Sequence, residues 1–191
     1  MKWRMGLGLV AAAICTAAAA GEPPALSVEQ EVQALKGGEY GPTRQDERLF
    51  GHLSCVLVGS GPVGSRGFLH KGWGDTLVQC GDRYVMMLMR FHEGKTHAED
   101  RWRVVDAVPL PPVVGILPDA SRPDGPYLYT PDECMLDNRW GTSLYAIVQV
   151  GARKRMDWRT GVEGAWGYDL KRQRIVPLST KRVVCTKPDP D

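Results

Sequence analysis

Thr76-Leu77-Val78-Gln79-Cys80-Gly81-Asp82-Arg83-Tyr84-Val85-Met86-Met87-Leu88-Met89-Arg90-Phe91 is the stretch that decides the fold. Two apolar runs rich in strand-forming residues, 76–80 and 84–91, flank a short turn that opens with glycine. A two-residue connection with glycine first is a hairpin signal, because its backbone twist matches that of paired strands. The stretch therefore predicts an antiparallel hairpin. Alternation places Met86 on one face and Met87 and Met89 on the other, as buried strand residues rather than a soft-metal cluster.

Working outward, residues 53–58 read as a compact apolar strand before the hairpin, and residues 101–108 as the strand that returns after a charged loop, 92–100. Together they predict a meander of about four strands. Upstream, Ser27-Val28-Glu29-Gln30 has the capping-box pattern, and Val28, Val32 and Leu35 fall on one helical face before Gly37-Gly38. A short amphipathic helix is predicted over 28–36.

Downstream, residues 109–131 hold seven of the fourteen prolines. Proline removes backbone donors, so regular strand or helix pairing is not expected there. The segment is too apolar for a solvated linker and is expected to cross the core as an ordered strap. Thr130-Pro131-Asp132-Glu133 reads as N-cap, first-turn proline and N3 acid, predicting one helical turn near Cys134. The pattern then becomes β again. Strands are predicted at 143–150, 158–168, 174–178 and 182–186, with a charged turn at 151–157. Both halves run from a cysteine to a Trp-Arg pair, Trp102-Arg103 and Trp158-Arg159, which suggests two half-repeats, 51–108 and 134–186, joined by a strap at 109–133. The expected fold is mainly β: a small antiparallel barrel or sandwich of about 8 strands, with one short N-terminal helix.

The chain has 191 residues. Lys2 and Arg4 precede an uncharged, Ala-rich run to Ala20, the signature of a secretory signal peptide over 1–20. Residues 21–50 form an extension carrying the helix, and 51–191 a single β-rich domain. No other segment is expected to span a membrane. Asn138 is the only asparagine, and arginine outnumbers lysine 16 to 8, a bias of GC-rich bacterial genomes. The expected location is periplasmic or secreted.

Four cysteines follow the leader: Cys55, Cys80, Cys134 and Cys185. An even number in an oxidising compartment implies two disulfides. Of the three connectivities, Cys55–Cys80 and Cys134–Cys185 are favoured, because these pairs lie on either side of the proline-rich divider. Without residues 1–20 the chain carries 22 basic and 22 acidic groups, which removes the simple electrostatic case for nucleic-acid binding. The neutrality is uneven: 11 basic and 16 acidic groups lie in 21–133, against 11 and 6 in 134–191. The basic half offers a face for an acidic protein or an anionic polymer.

Motifs for chemistry are sparse. Gly59-Ser60-Gly61-Pro62-Val63-Gly64 matches a dinucleotide-binding pattern, but the continuation is glycine-rich rather than helical, and no cofactor is implied. The six glycines in 59–74 read instead as a loop, with Phe68, Leu69 and Trp73 as a recognition tip. Trp73→Ala is then expected to cost affinity with little loss of folding. Arg153, Lys154 and Arg155 form a second contact loop. His92 and His97 are candidate metal ligands in the charged loop, although their spacing matches no helical pair. No catalytic residue is assigned. Asp75, Asp106 and Glu163 are carboxylates inside or beside apolar strands, where burial requires partners or a raised pKa. The expected role is an exported, protein-binding module, inhibitor- or immunity-like, whose partner is another exported or envelope protein. A carrier of lipid or glycan and an envelope hydrolase are the alternatives.

Overall fold

The computed structural model describes residues 26–40, 53–58, 68–70, 72–96, 99–117, 125–140, 143–151 and 153–188. The predicted leader, His52, His97 and the 59–67 part of the glycine-rich loop lie outside the described residues, as do the side chains of Phe68, Leu69 and His70.

The described residues form one α-helix, α1 (Val28–Leu35), and fourteen mostly short strands, in three sheets. Helix α1 begins on the predicted capping box: the Ser27 hydroxyl accepts from the Gln30 amide, and the Gln30 side chain accepts from the Ser27 amide. Val32 and Leu35 are buried beneath it.

The first sheet contains β1 (Glu39–Tyr40), β2 (Val56–Leu57), β3 (Phe68–His70), β4 (Trp73–Cys80), β5 (Arg83–His92) and β6 (Arg101–Pro109). The Gly81-Asp82 hairpin is as read from the sequence, and Gly81 takes φ +59, which a side chain would disfavour. Strand β5 is buried from Val85 to Met89 because both sheet faces are covered. Val85, Met87 and Met89 face the cluster under α1, while Met86 and Leu88 face the second sheet.

The second sheet has the order β13-β12-β10-β8-β7, with β7 (Gly115–Ile116), β8 (Gly125–Tyr129), β10 (Tyr145–Val150), β12 (Val162–Asp169) and β13 (Arg174–Pro177). The third is β11-β14-β9, with β9 (Cys134–Leu136), β11 (Arg155–Met156) and β14 (Val183–Thr186). One apolar cluster joins the first two sheets, and another joins the second and third. The fold is thus layered: helix, sheet, sheet, sheet.

Two readings of the sequence need correction. The proline-rich strap does pair: β8 lies beside β10, and β7 runs parallel to β8. Pro126 loses only its own donor, and its carbonyl still accepts from the Val114 amide. The Thr130–Glu133 segment is a turn that leads straight into β9 rather than a helix, although Thr130 does donate to the Glu133 carboxylate as a cap would. The strand number also exceeds the eight expected: β1 and β3 join the first sheet, the strap supplies β7 and β8, and β9 and β11 flank β14 in a third sheet.

Both disulfides form with the favoured pairing, Cys55–Cys80 and Cys134–Cys185. One lies in the cluster beneath α1, the other between the second and third sheets. No helix among the described residues is long and apolar enough to cross a membrane.

Candidate functional site

Three turns converge at one end of the third sheet. The first is the hairpin after β9. Asp137 and Asn138 hold φ +52 and +61, the left-handed values that a type I′ turn needs and that Asp and Asn tolerate. Leu136 and Arg139 bridge across it, and Trp140 follows, 55% exposed. The second is the 3-10 helix Thr180–Arg182, just before β14. Its Arg182 forks onto the Asp137 carboxylate through Nε and Nη2, and the Asp137 amide donates to the Arg182 carbonyl at 2.9 Å. The guanidinium holds the Asp137 carboxyl below its ordinary range, and the carboxylate raises Arg182 in return.

The third turn follows β11. Asp157 accepts from the Arg159 amide at 2.9 Å and from the Thr160 hydroxyl at 3.0 Å, and the Thr160 hydroxyl accepts from the Asp157 amide at 2.8 Å. These bonds keep Asp157 ionised below the ordinary carboxylate range and fix the turn. Trp158 at its tip is 44% exposed. The Arg159 guanidinium stands 4.8 Å from the Trp158 ring centroid, and the Lys181 ammonium 5.5 Å. The result is an exposed indole with two cations against its ring, on a turn held by its own hydrogen bonds. Tryptophan and arginine are the side chains that most often anchor protein interfaces.

The sequence-predicted residues are distributed differently. Arg153, Lys154 and Arg155 are exposed, but at the opposite end of β11. There the Lys187 amide donates to the Lys154 carbonyl at 2.7 Å. They extend the basic edge without touching the tryptophan turn. Trp73 is not at a loop tip. It starts β4, is 8% exposed, and packs in the central cluster, with the Arg90 guanidinium 4.8 Å above its ring. Its role is therefore a core one, because β4 begins three residues earlier than the sequence pattern indicates. Phe68 and Leu69 lie in β3, which pairs with β4. His92 is exposed at the end of β5.

Glu31, Cys55 and Cys80 bring potential ligand atoms within 4.8 Å of one another. The two sulfurs are bonded to each other, and Glu31 accepts from the Ser54 amide at 2.8 Å, so the group ties α1 to the disulfide. Of the carboxylates beside apolar strands, Glu163 is exposed and Asp106 is a structural tie. Asp75 is buried among the tyrosines of the second sheet.

Trp140 and Trp158 are not among the contact residues expected from the sequence. The distinguishing signal was available: Arg139-Trp140, Trp158-Arg159 and Lys181-Arg182 pair aromatic or cationic residues beside the turn-formers Asp137-Asn138 and Asp157. Comparison of the chain with protein-family models, with curated proteins and with solved structures found no match.

Proposed function

We propose that the protein is an exported binding module, inhibitor- or immunity-like, that holds an acidic partner protein at the turn end of its third sheet. The observation that carries the reading is Trp158, 44% exposed and flanked by the Arg159 and Lys181 cations. A partner that buries the indole gains apolar contact area, while its carboxylates meet Arg159 and Lys181. The internal hydrogen bonds of the 157–160 turn reduce the ordering cost of binding. The two disulfides support a place outside the reducing cytoplasm. The basic residues along β11 add long-range attraction for an acidic surface and deter edge-to-edge sheet pairing.

The test is lysine-directed cross-linking of the protein to the exported-protein fraction of its source organism, read by mass spectrometry. An acidic protein captured in stoichiometric amount, cross-linked chiefly at Lys181 with Lys154 and Lys187 next, is the expected result. Capture through Lys36, at the end of α1, and Lys95, in the loop between β5 and β6, would instead move the contact face away from this site.

A further inference from the structure

We propose that Asp75, held by the hydroxyls of Tyr145 and Tyr168, is a proton-operated clasp between the first and second sheets: the neutral carboxyl suits the apolar cluster, whereas the buried carboxylate, although it accepts the phenol bonds more strongly, carries a desolvation cost that loosens the packing. Asp75 projects from β4 into the central cluster and is 6% exposed. The Tyr168 hydroxyl donates to its Oδ2 at 2.9 Å, and the Tyr145 hydroxyl bonds to it as well. These phenols come from β12 and β10. Tyr145 pairs in register with Trp166, which places Tyr168 one step further along the same face. One carboxyl group therefore joins three strands of two sheets.

The described groups around Asp75 do not neutralise a charge there. Across β5, Asp75 faces Leu88, and the next residue in the row is Asp106 of β6, itself paired with Lys36. Arg90 of β5 is engaged over the Trp73 ring. His70 of β3 pairs with Trp73, and β13 contributes Ile175 to the same cluster. Tyr40 of β1 feels the Asp75 charge, as do Tyr145 and Tyr168, and Asp132 adds a further negative influence on Tyr145. Among the described residues, no cation is among the groups that act on Asp75.

Burial accordingly pushes the Asp75 carboxyl up to about 6, against the opposing pull of the two tyrosine hydrogen bonds. The folded protein then binds a proton that the unfolded chain releases near pH 4. This advantage is complete below about pH 4 and is lost as pH rises through about 6, the reverse of ordinary acid denaturation. A shift of this size changes the folding constant about a hundredfold between the two limits. An exported protein takes the pH of its surroundings, so the clasp rests on the export reading only for its use, not for its chemistry.

The test is urea unfolding of the disulfide-bonded protein from pH 4.5 to 7.5, with amide exchange followed in β10 and β12. The expected result is a folding constant that falls tenfold or more across the range, with faster exchange in both strands, and a flat contribution at this site in Asp75→Asn. Tyr168→Phe removes a hydrogen bond that lowers the Asp75 pKa, so its midpoint should move upward; this variant serves if Asp75→Asn does not fold. An Asp75→Asn profile with the wild-type slope, or a Tyr168→Phe midpoint that stays in place, would overturn the proposal.

Discussion

The Ile175 amide donates to the Asp106 carboxylate at 2.8 Å, tying the edge strand β13 of the second sheet to β6 of the first. The other oxygen accepts from the Ala107 amide at 3.0 Å and pairs with the Lys36 ammonium at 3.1 Å. One side chain thus links the end of α1, the first sheet and the second. Asp106→Ala strands the buried Ile175 amide, and leaving such a donor unsatisfied costs about 1–3 kcal/mol. The half-exposed Lys36 pair adds little. Denaturant unfolding should show this loss, and Asp106→Asn, which keeps an acceptor, should recover much of it.

Trp73→Ala should destabilise the protein by about 3–5 kcal/mol, because it removes a large side chain from the cluster between two sheets. Thermal unfolding of the variant checks this. A loss below about 1 kcal/mol would mean that the ring is not a core element.

Gly161 closes the Trp158 turn with φ +153, and a Cβ there would stand 2.5 Å from the Gln149 carbonyl oxygen. That oxygen is backbone and cannot rotate away. Gly161→Ala should therefore lower stability and, by shifting the 157–160 turn, weaken partner capture more than the stability loss explains. Circular dichroism melting and binding measured on the same sample separate the two effects.

The disulfides close loops of 25 and 51 residues. Loop entropy in the unfolded chain then gives upper values of about 3.5 and 4 kcal/mol, so opening Cys134–Cys185 should cost slightly more. The paired Cys→Ala variants, compared by urea midpoint, test the order.

Much of this fold was legible where the local chemistry was self-contained. Ser27 and Gln30 satisfy each other's backbone amides within four residues, and the Gly81-Asp82 turn lies between two runs with no competing structure. The cysteine pairing followed from their order along the chain. β8 was obscured because seven prolines suggested an absence of pairing, while the strand depends on what the Pro126 carbonyl accepts, not on what its nitrogen lacks. Trp158 read as the start of a strand because it is apolar. In the fold, the Asp157 and Thr160 side chains capture the backbone first, and β12 starts only at Val162. The clasp was half visible: Asp75 stood out as a carboxylate in an apolar strand, but its partners Tyr145 and Tyr168 lie 70 and 93 residues away and reach it only through sheet stacking.

The proposed contact rests on the cations around Trp158 holding an acidic partner. The most direct test is the dissociation constant of the captured protein for wild type and for the Arg159→Glu/Lys181→Glu double variant, at low and high salt. Both positions are on the surface, so stability should change by only about 0.5 kcal/mol. Affinity should be at least a hundredfold weaker in the variant, with the salt dependence of the wild type largely lost. Equal affinity and equal salt dependence in the two proteins would contradict it.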